Sequence, residues 1–182
     1  MTSLEYPAQP RIIQSPGCIS QLGSLAAEWD LKRALVISDP GIVQAGHART
    51  GCDSLEQAGI ETAVFSELGE NPSTQDVERG VTLAEDFQPQ LLVGLGGGSS
   101  MECAKGINFM YTNGGQMQDY WGVGKGTKEM LPMIAIPTTA GTGSETQSFA
   151  LISDAQTHRK MACGDGKAIC RFPLLDPELT TT

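Results

Sequence analysis

The chain has 182 residues, 40% of them hydrophobic, enough to bury one ordinary core, so one domain over residues 1–182 is expected. Twelve Lys and Arg stand against 21 Asp and Glu for a net charge of −9, and the basic residues are scattered singly apart from Lys32-Arg33 and Arg159-Lys160, which excludes a nucleic-acid footprint. No apolar run reaches the length of a membrane span and residues 1–10 lack a charged and an apolar region in series, so a soluble, cytoplasmic protein is expected.

Residues 17–29 place Ile19, Leu22, Leu25, Ala26 and Trp29 on one helical face, and 34–38 follow as a short buried strand. Asp39-Pro40-Gly41 is a turn, 42–58 a weaker helix interrupted by Gly46 and Gly51, and 62–65 the next strand after Gly59. A turn at Glu70-Asn71-Pro72 precedes a third helix, opened by a capping-box pattern of Ser73 with Asp76 and marked by Val77, Val81 and Ala84. The apolar strand 91–95 then breaks into Gly96-Gly97-Gly98-Ser99-Ser100, and residues 101–111 continue at helical spacing until Asn113-Gly114-Gly115. A strand at 133–136 leads into a loop of hydroxyls and glycines, 138–145. Residues 149–152 and 160–162 flank a polar turn as a β-hairpin, 168–175 hold a last strand, and Asp176-Pro177 is a helix-start signal.

Short apolar strands separated by helices imply a parallel sheet covered on both faces, an α/β fold of Rossmann-like type with an added hairpin. Ligands of such sheets bind beyond the carboxyl ends of the strands. That rule gathers Asp39, Asn71, the stretch 96–99 and the loop after Ile136 on one edge. Successive glycines let the backbone approach a ligand, while the helix that follows turns its free N–H groups to the same point, an arrangement suited to a pyrophosphate. Ser99 and Glu102 also fit a capping box, whose plain meaning is a well-capped helix. No G-x-x-x-x-G-K-[ST] motif occurs, which disfavours a P-loop triphosphatase. Cys18, Cys52, Cys103, Cys163 and Cys170 are odd in number and form no C-x-x-C, as suits reduced buried thiols.

Three motifs in order, 96–105 (GGGSSMECAK), 137–145 (PTTAGTGSE) and 176–180 (DPELT), resemble those of the iron-containing (group III) alcohol dehydrogenases. The resemblance covers the amino-terminal half of that architecture, and implies that the family's helical, metal-holding domain is absent from this chain. It implies a nicotinamide dinucleotide, NAD, bound with the help of Gly96, with Gly97, Gly98 and Ser99 at the pyrophosphate and Thr138, Thr139 and Thr142 around phosphates and ribose. By the same resemblance Asn71 and Lys160 line the cleft, and Asp39 holds the position that favours NAD over NADP, since a carboxylate accepts from ribose hydroxyls and repels a 2′-phosphate. The family usually carries aspartate where this chain has Glu102.

In the whole family a divalent metal, iron or zinc, would polarise a small alcohol or aldehyde while hydride passes to or from the nicotinamide. Here His47 and His158 are ordinary surface histidines by expectation, and Asp176 belongs to the closing motif rather than to a metal site. The chain is therefore expected to bind NAD with no metal and little turnover of its own. The alternatives are a self-associating, non-catalytic module, such as a homodimer, and a glycerol- or polyol-dehydrogenase-like member of the same group.

Overall fold

Short apolar runs alternating with helical stretches pair as parallel strands, because each intervening helix returns the chain to the starting end of the sheet. The computed structural model, which describes residues 10–181, has this arrangement. Residues 1–9, most of the stretch read above for a targeting signal, lie outside the described residues, as does Thr182.

The strands in chain order are β1 (Ile13–Gln14), β2 (Arg33–Ile37), β3 (Glu61–Phe65), β4 (Leu91–Gly96), β5 (Gly122–Val123), β6 (Met133–Pro137), β7 (Phe149–Ser153), β8 (Lys160–Gly164) and β9 (Phe172–Leu175). Six of them form one wholly parallel sheet in the order β1-β9-β6-β4-β2-β3. The remaining three form a small mixed sheet, β5-β8-β7, in which β7 and β8 are the antiparallel hairpin and β5 lies parallel to β8. The helices are α1 (Leu22–Ala27), α2 (Pro40–Gln44), α3 (His47–Gln57), α4 (Thr74–Phe87) and α5 (Gly98–Asn113). Among the described residues no helix is long and apolar enough to cross a membrane.

Alternation along the central strands divides the core in two. Leu35 and Ile37 of β2, Leu92 of β4 and Met133 of β6 pack with α4, α5 and the small sheet. Ala34 and Val36, Leu91, Val93 and Leu95, and Ile134 and Ile136 pack on the other face with α1 and α3. Helix α5 lies between the large sheet and β7, so every residue from 100 to 110 is buried. A helix enclosed on all sides has no polar face to display, which is why its amphipathic pattern is weak.

Four expectations change. The helix expected over 17–29 is a tight 3-10 turn, Cys18–Gln21, followed by the short α1. The Asp176 carboxylate accepts from the N–H groups of Gly17 and Ile19, at 3.0 and 3.1 Å, and anchors the start of that turn. The helix expected over 42–58 divides into α2 and α3 at Gly46, whose φ of 86° is left-handed. Strands β1 and β5 were not expected; each has two residues, too few to carry a periodicity. The fourth change concerns α5, which begins at Gly98 with Gly97 at its N-cap and no capping side chain, so Ser99 and Glu102 do not form the capping box. Both side chains are drawn away by tertiary partners described below.

Candidate functional site

In the strand order, β3 lies on one side of β2 and β4 on the other, so the crossover from β2 to β3 runs one way and that from β3 returns past β2 to β4, which opens a crevice at the carboxyl ends of β2 and β4. Asp39 follows the first of these strands and Gly97 the second. A cleft of about 480 Å³ lies there, lined by Asp39, Leu68, Gly97, Ser99, Thr138 and Thr139 among others. A smaller hollow of about 220 Å³ adjoins it at Thr139 and runs past Gly141 and Glu145 towards Thr180.

The glycine turn is shaped by contacts that side chains would obstruct. Gly96 has φ 146°, and a Cβ there would lie 2.4 Å from Ser100 Oγ and 3.0 Å from Asp39 Oδ2. Gly97 has an ordinary φ of −74°, and a Cβ on it would stand 3.5 Å from Thr139 Oγ1, on the cleft side of the turn. A Cβ on Gly98 would lie 3.2 Å from Ser144 Oγ and 3.5 Å from Thr142 Cβ. The glycine turn and the threonine loop thus face each other directly. The loop's first residue is fixed by the register of β4 with β6, which sets Gly96 beside Pro137, and by Thr138 N–H donating to the Gly96 carbonyl at 2.9 Å.

Asp39 caps α2, accepting from Ile42 N–H at 3.1 Å through Oδ1, while Oδ2 lies 3.4 Å from the Ser100 hydroxyl. It is half-buried and keeps an open side towards the cleft. Asn71 sits in the left-handed region, φ 54°, which asparagine tolerates better than most residues. Its N–H donates to Ser99 Oγ at 3.3 Å, and its Oδ1 accepts from Lys160 Nζ at 3.2 Å. Ser99, Asn71 and Lys160 therefore form one chain of contacts from α5 to β8. Of the expected residues, Asp39, Gly97, Ser99, Thr138 and Thr139 line the cleft itself; Gly96 and Gly98 flank Gly97 in the turn, Thr142 stands against Gly98, and Asn71 and Lys160 reach the site only through Ser99.

Beneath the loop lie residues not singled out for the site from the sequence. Lys105 is wholly buried and donates from Nζ to the carbonyls of Ser144, at 2.7 Å, and Gln147, at 2.5 Å. Glu102, also buried, holds Oε1 3.5 Å from Ser144 Oγ. Burial pushes the Glu102 carboxyl above its ordinary range against the pull of Lys160 and Lys105, and burial pushes the Lys105 ammonium below its own. The available signal was a lysine between Ala104 and Gly106 with Met101 and Phe109 at helical spacing, a buried position where a charge must find partners.

A divalent metal finds no comparable donor set. Among the described residues no three His, Cys, Asp or Glu side chains come together to hold an ion, and a catalytic site takes about three protein ligands. His47 opens α3 and is half-buried, whereas His158 is exposed in the β7–β8 turn with φ 57°. Asp176 spends its carboxylate on the N–H groups of Gly17, Ile19 and Glu178.

Comparison with known proteins places these observations among relatives. The family model described as iron-containing alcohol dehydrogenase matches residues 9–177. The NAD-dependent methanol dehydrogenase of Bacillus methanolicus is 34% identical over 179 residues, 98% of this chain and 46% of that protein. The crystal structure of a 1,3-propanediol oxidoreductase superposes with a TM-score of 0.91 at 29% identity, over 96% of this chain and 46% of that one. Sulfoacetaldehyde reductase from Bifidobacterium kashiwanohense, solved in complex with NAD+, superposes with a TM-score of 0.85 at 27% identity, over 98% of this chain and 48% of that one. The chain spans about half the length of the relatives it matches.

Proposed function

The chain belongs to the iron-containing alcohol dehydrogenase family, and from that premise we propose that residues 1–182 are a cofactor-binding unit that holds NAD(H) in the cleft between β2 and β4. The observation that carries this reading is the glycine turn at the carboxyl end of β4 facing a threonine-lined loop across a crevice. The N–H groups of Gly97, Gly98 and Ser99, at the positive end of a 16-residue helix, suit a pyrophosphate. Gly96 supplies the bend that lets them approach it. Asp39 accepts hydrogen bonds from a ribose diol and repels a 2′-phosphate, so NAD is preferred to NADP. Thr138, Thr139 and Thr142 offer hydroxyls to phosphate and ribose oxygens, and Asn71 with Lys160 brings a positive charge to the edge of the same site.

When bound, the nicotinamide supplies the hydride acceptor or donor for a small alcohol or its aldehyde. The chain's own residues bind and orient the dinucleotide. By the family resemblance the metal is held in a further, helical domain, so in this reading the chain alone holds the cofactor without substantial turnover, and the substrate alcohol is chosen elsewhere in the family's architecture. The free, buried cysteines suit a reducing compartment, the cytoplasm.

Isothermal titration of the chain with NADH and NADPH tests this reading. NADH binding that exceeds NADPH binding is expected; no heat at millimolar NADH overturns it, and robust alcohol-dependent reduction of NAD by the chain alone overturns the clause on turnover. A second reading, self-association, is favoured by Val123 and Trp121, 73% and 44% exposed at the edge strand β5. A monomeric mass by light scattering would dismiss it.

A further inference from the structure

The loop between β6 and β7 is weakly made by itself. Residues 139–142 are exposed, and Gly141 and Gly143 are both left-handed, with φ 85° and 68°. Within it the N–H groups of Thr146 and Gln147 both turn to the single carbonyl of Gly143, at 3.1 and 3.2 Å. Such a segment, with few buried apolar contacts, belongs to the low-stability end of a fold. Yet its Ser144 is buried, and Ser144 Oγ stands at the glycine turn, 3.2 Å from where a Cβ of Gly98 would be.

What holds it there comes from below. Lys105 leaves the middle of α5, and its Nζ reaches carbonyls 39 and 42 residues further along the chain. A methionine or leucine could fill the same volume with no desolvation cost. What an apolar side chain could not supply is donors to Ser144 and Gln147 together, which close the loop's returning limb onto α5. Because α5 begins in the glycine turn, at Gly98, the grip fixes the spacing of the two walls of the cleft.

We propose that Lys105 is a positioning residue for the dinucleotide: its buried amine clamps the carbonyls of Ser144 and Gln147 and so sets how closely Thr142 and Ser144 approach Gly98. This rests on the cofactor reading above. Lys105 itself stays under the loop and acts through it.

The test compares Lys105→Met with Leu55→Ala, a truncation in the other half of the core, each studied below its melting temperature. Two quantities are read, amide hydrogen exchange of Thr146 and Gln147 in the ligand-free chain and the Kd for NADH. Lys105→Met is expected to speed exchange at both amides at least tenfold and to raise the Kd at least tenfold. Leu55→Ala is expected to lower the melting temperature while leaving the Kd within twofold. Unchanged exchange and Kd in Lys105→Met overturn the proposal, as does an equal loss of affinity in Leu55→Ala, which would mark a general stability effect. Should Lys105→Met fail to fold, Lys105→Gln, which keeps a neutral donor, is read by the same two measurements. Should the wild-type chain not bind NADH, the cofactor reading falls and takes the affinity clause with it, while exchange still decides whether Lys105 orders the loop.

Discussion

The glycine turn and the threonine loop meet across one cleft, yet different forces hold them. The turn is an extension of the core: β4 is buried along its whole length, α5 is buried for most of its own, and the bend between them is set by backbone torsion and close packing. The loop is fastened by polar contacts, chiefly Lys105 at Ser144 and Gln147, and the hairpin after it, which packs Ala150, Ile152, Met161 and Cys163 into the core, adds polar ties at its rim, Lys160 at Asn71 and Asp154 at the tip. One wall should therefore respond to volume and backbone changes, and the other to changes of charge and hydrogen bonding.

The largest effect expected is at the bend. Gly96→Val places a side chain on a residue with φ 146°, against Ser100 Oγ and Asp39 Oδ2, and should lower the unfolding free energy by about 3 kcal/mol. Urea denaturation followed by circular dichroism measures it, and a loss below about 1 kcal/mol would mean that the turn is not part of the rigid core.

Next comes Gly97→Ala, one residue on. The ordinary φ and the 3.5 Å clearance to Thr139 Oγ1 admit the methyl group, so stability should change by less than about 1 kcal/mol. NADH affinity should fall about tenfold, since the methyl occupies the approach of the pyrophosphate. Neighbouring glycines would then separate folding from binding; equal affinities for both chains would break that distinction.

A smaller effect is expected at Asp39→Ser, which keeps a hydroxyl to cap α2 and removes the charge facing the cleft. The ratio of NADPH to NADH affinity should rise about tenfold with little change in melting temperature. An unchanged ratio would remove Asp39 from cofactor choice and leave it as a helix cap.

The smallest effect is acid sensitivity on the polar-fastened side. The Asp154 carboxylate accepts from the N–H groups of Thr157 and Gln156 and from the Gln118 amide, and these hold its pKa at about 2 against an ordinary 3.8. The native state thus binds this proton less tightly than the unfolded chain. The resulting stabilisation is complete above the ordinary pKa and is lost as pH falls through the range towards 2. The melting-temperature advantage of the wild type over Asp154→Asn should shrink across that range, and a constant difference would show that the carboxylate's charge plays no part in fastening the hairpin.

The strands at the centre of the sheet were legible because a strand buried on both faces must be continuously apolar, as 91–95 and 133–136 are. The hairpin was legible from the polar turn between two apolar runs. Two of the four edge strands were not: β1 and β5 have two residues each, and their identity comes from their partners β9 and β8. The same holds inside the site. Asp39, Asn71 and the glycines announce themselves through turn chemistry and motif spacing, whereas Glu102 and Ser99 read as a capping box and act otherwise. Ser99 Oγ finds Asn71 N–H, and Glu102 finds the Ser144 hydroxyl, because α5 packs beneath two loops that the local sequence does not contain.

By itself, then, the sequence determined the longer strands and the main helices of a parallel α/β sheet, and which end of that sheet holds the glycines and hydroxyls, since burial and backbone torsion are written locally in apolar runs and turn residues. The tertiary structure alone decided the distance between the two walls and the use of Lys105 beneath one of them. Those depend on contacts across about forty residues of chain, where the desolvation of a single ammonium has to be answered by carbonyls brought to it only when the whole domain closes.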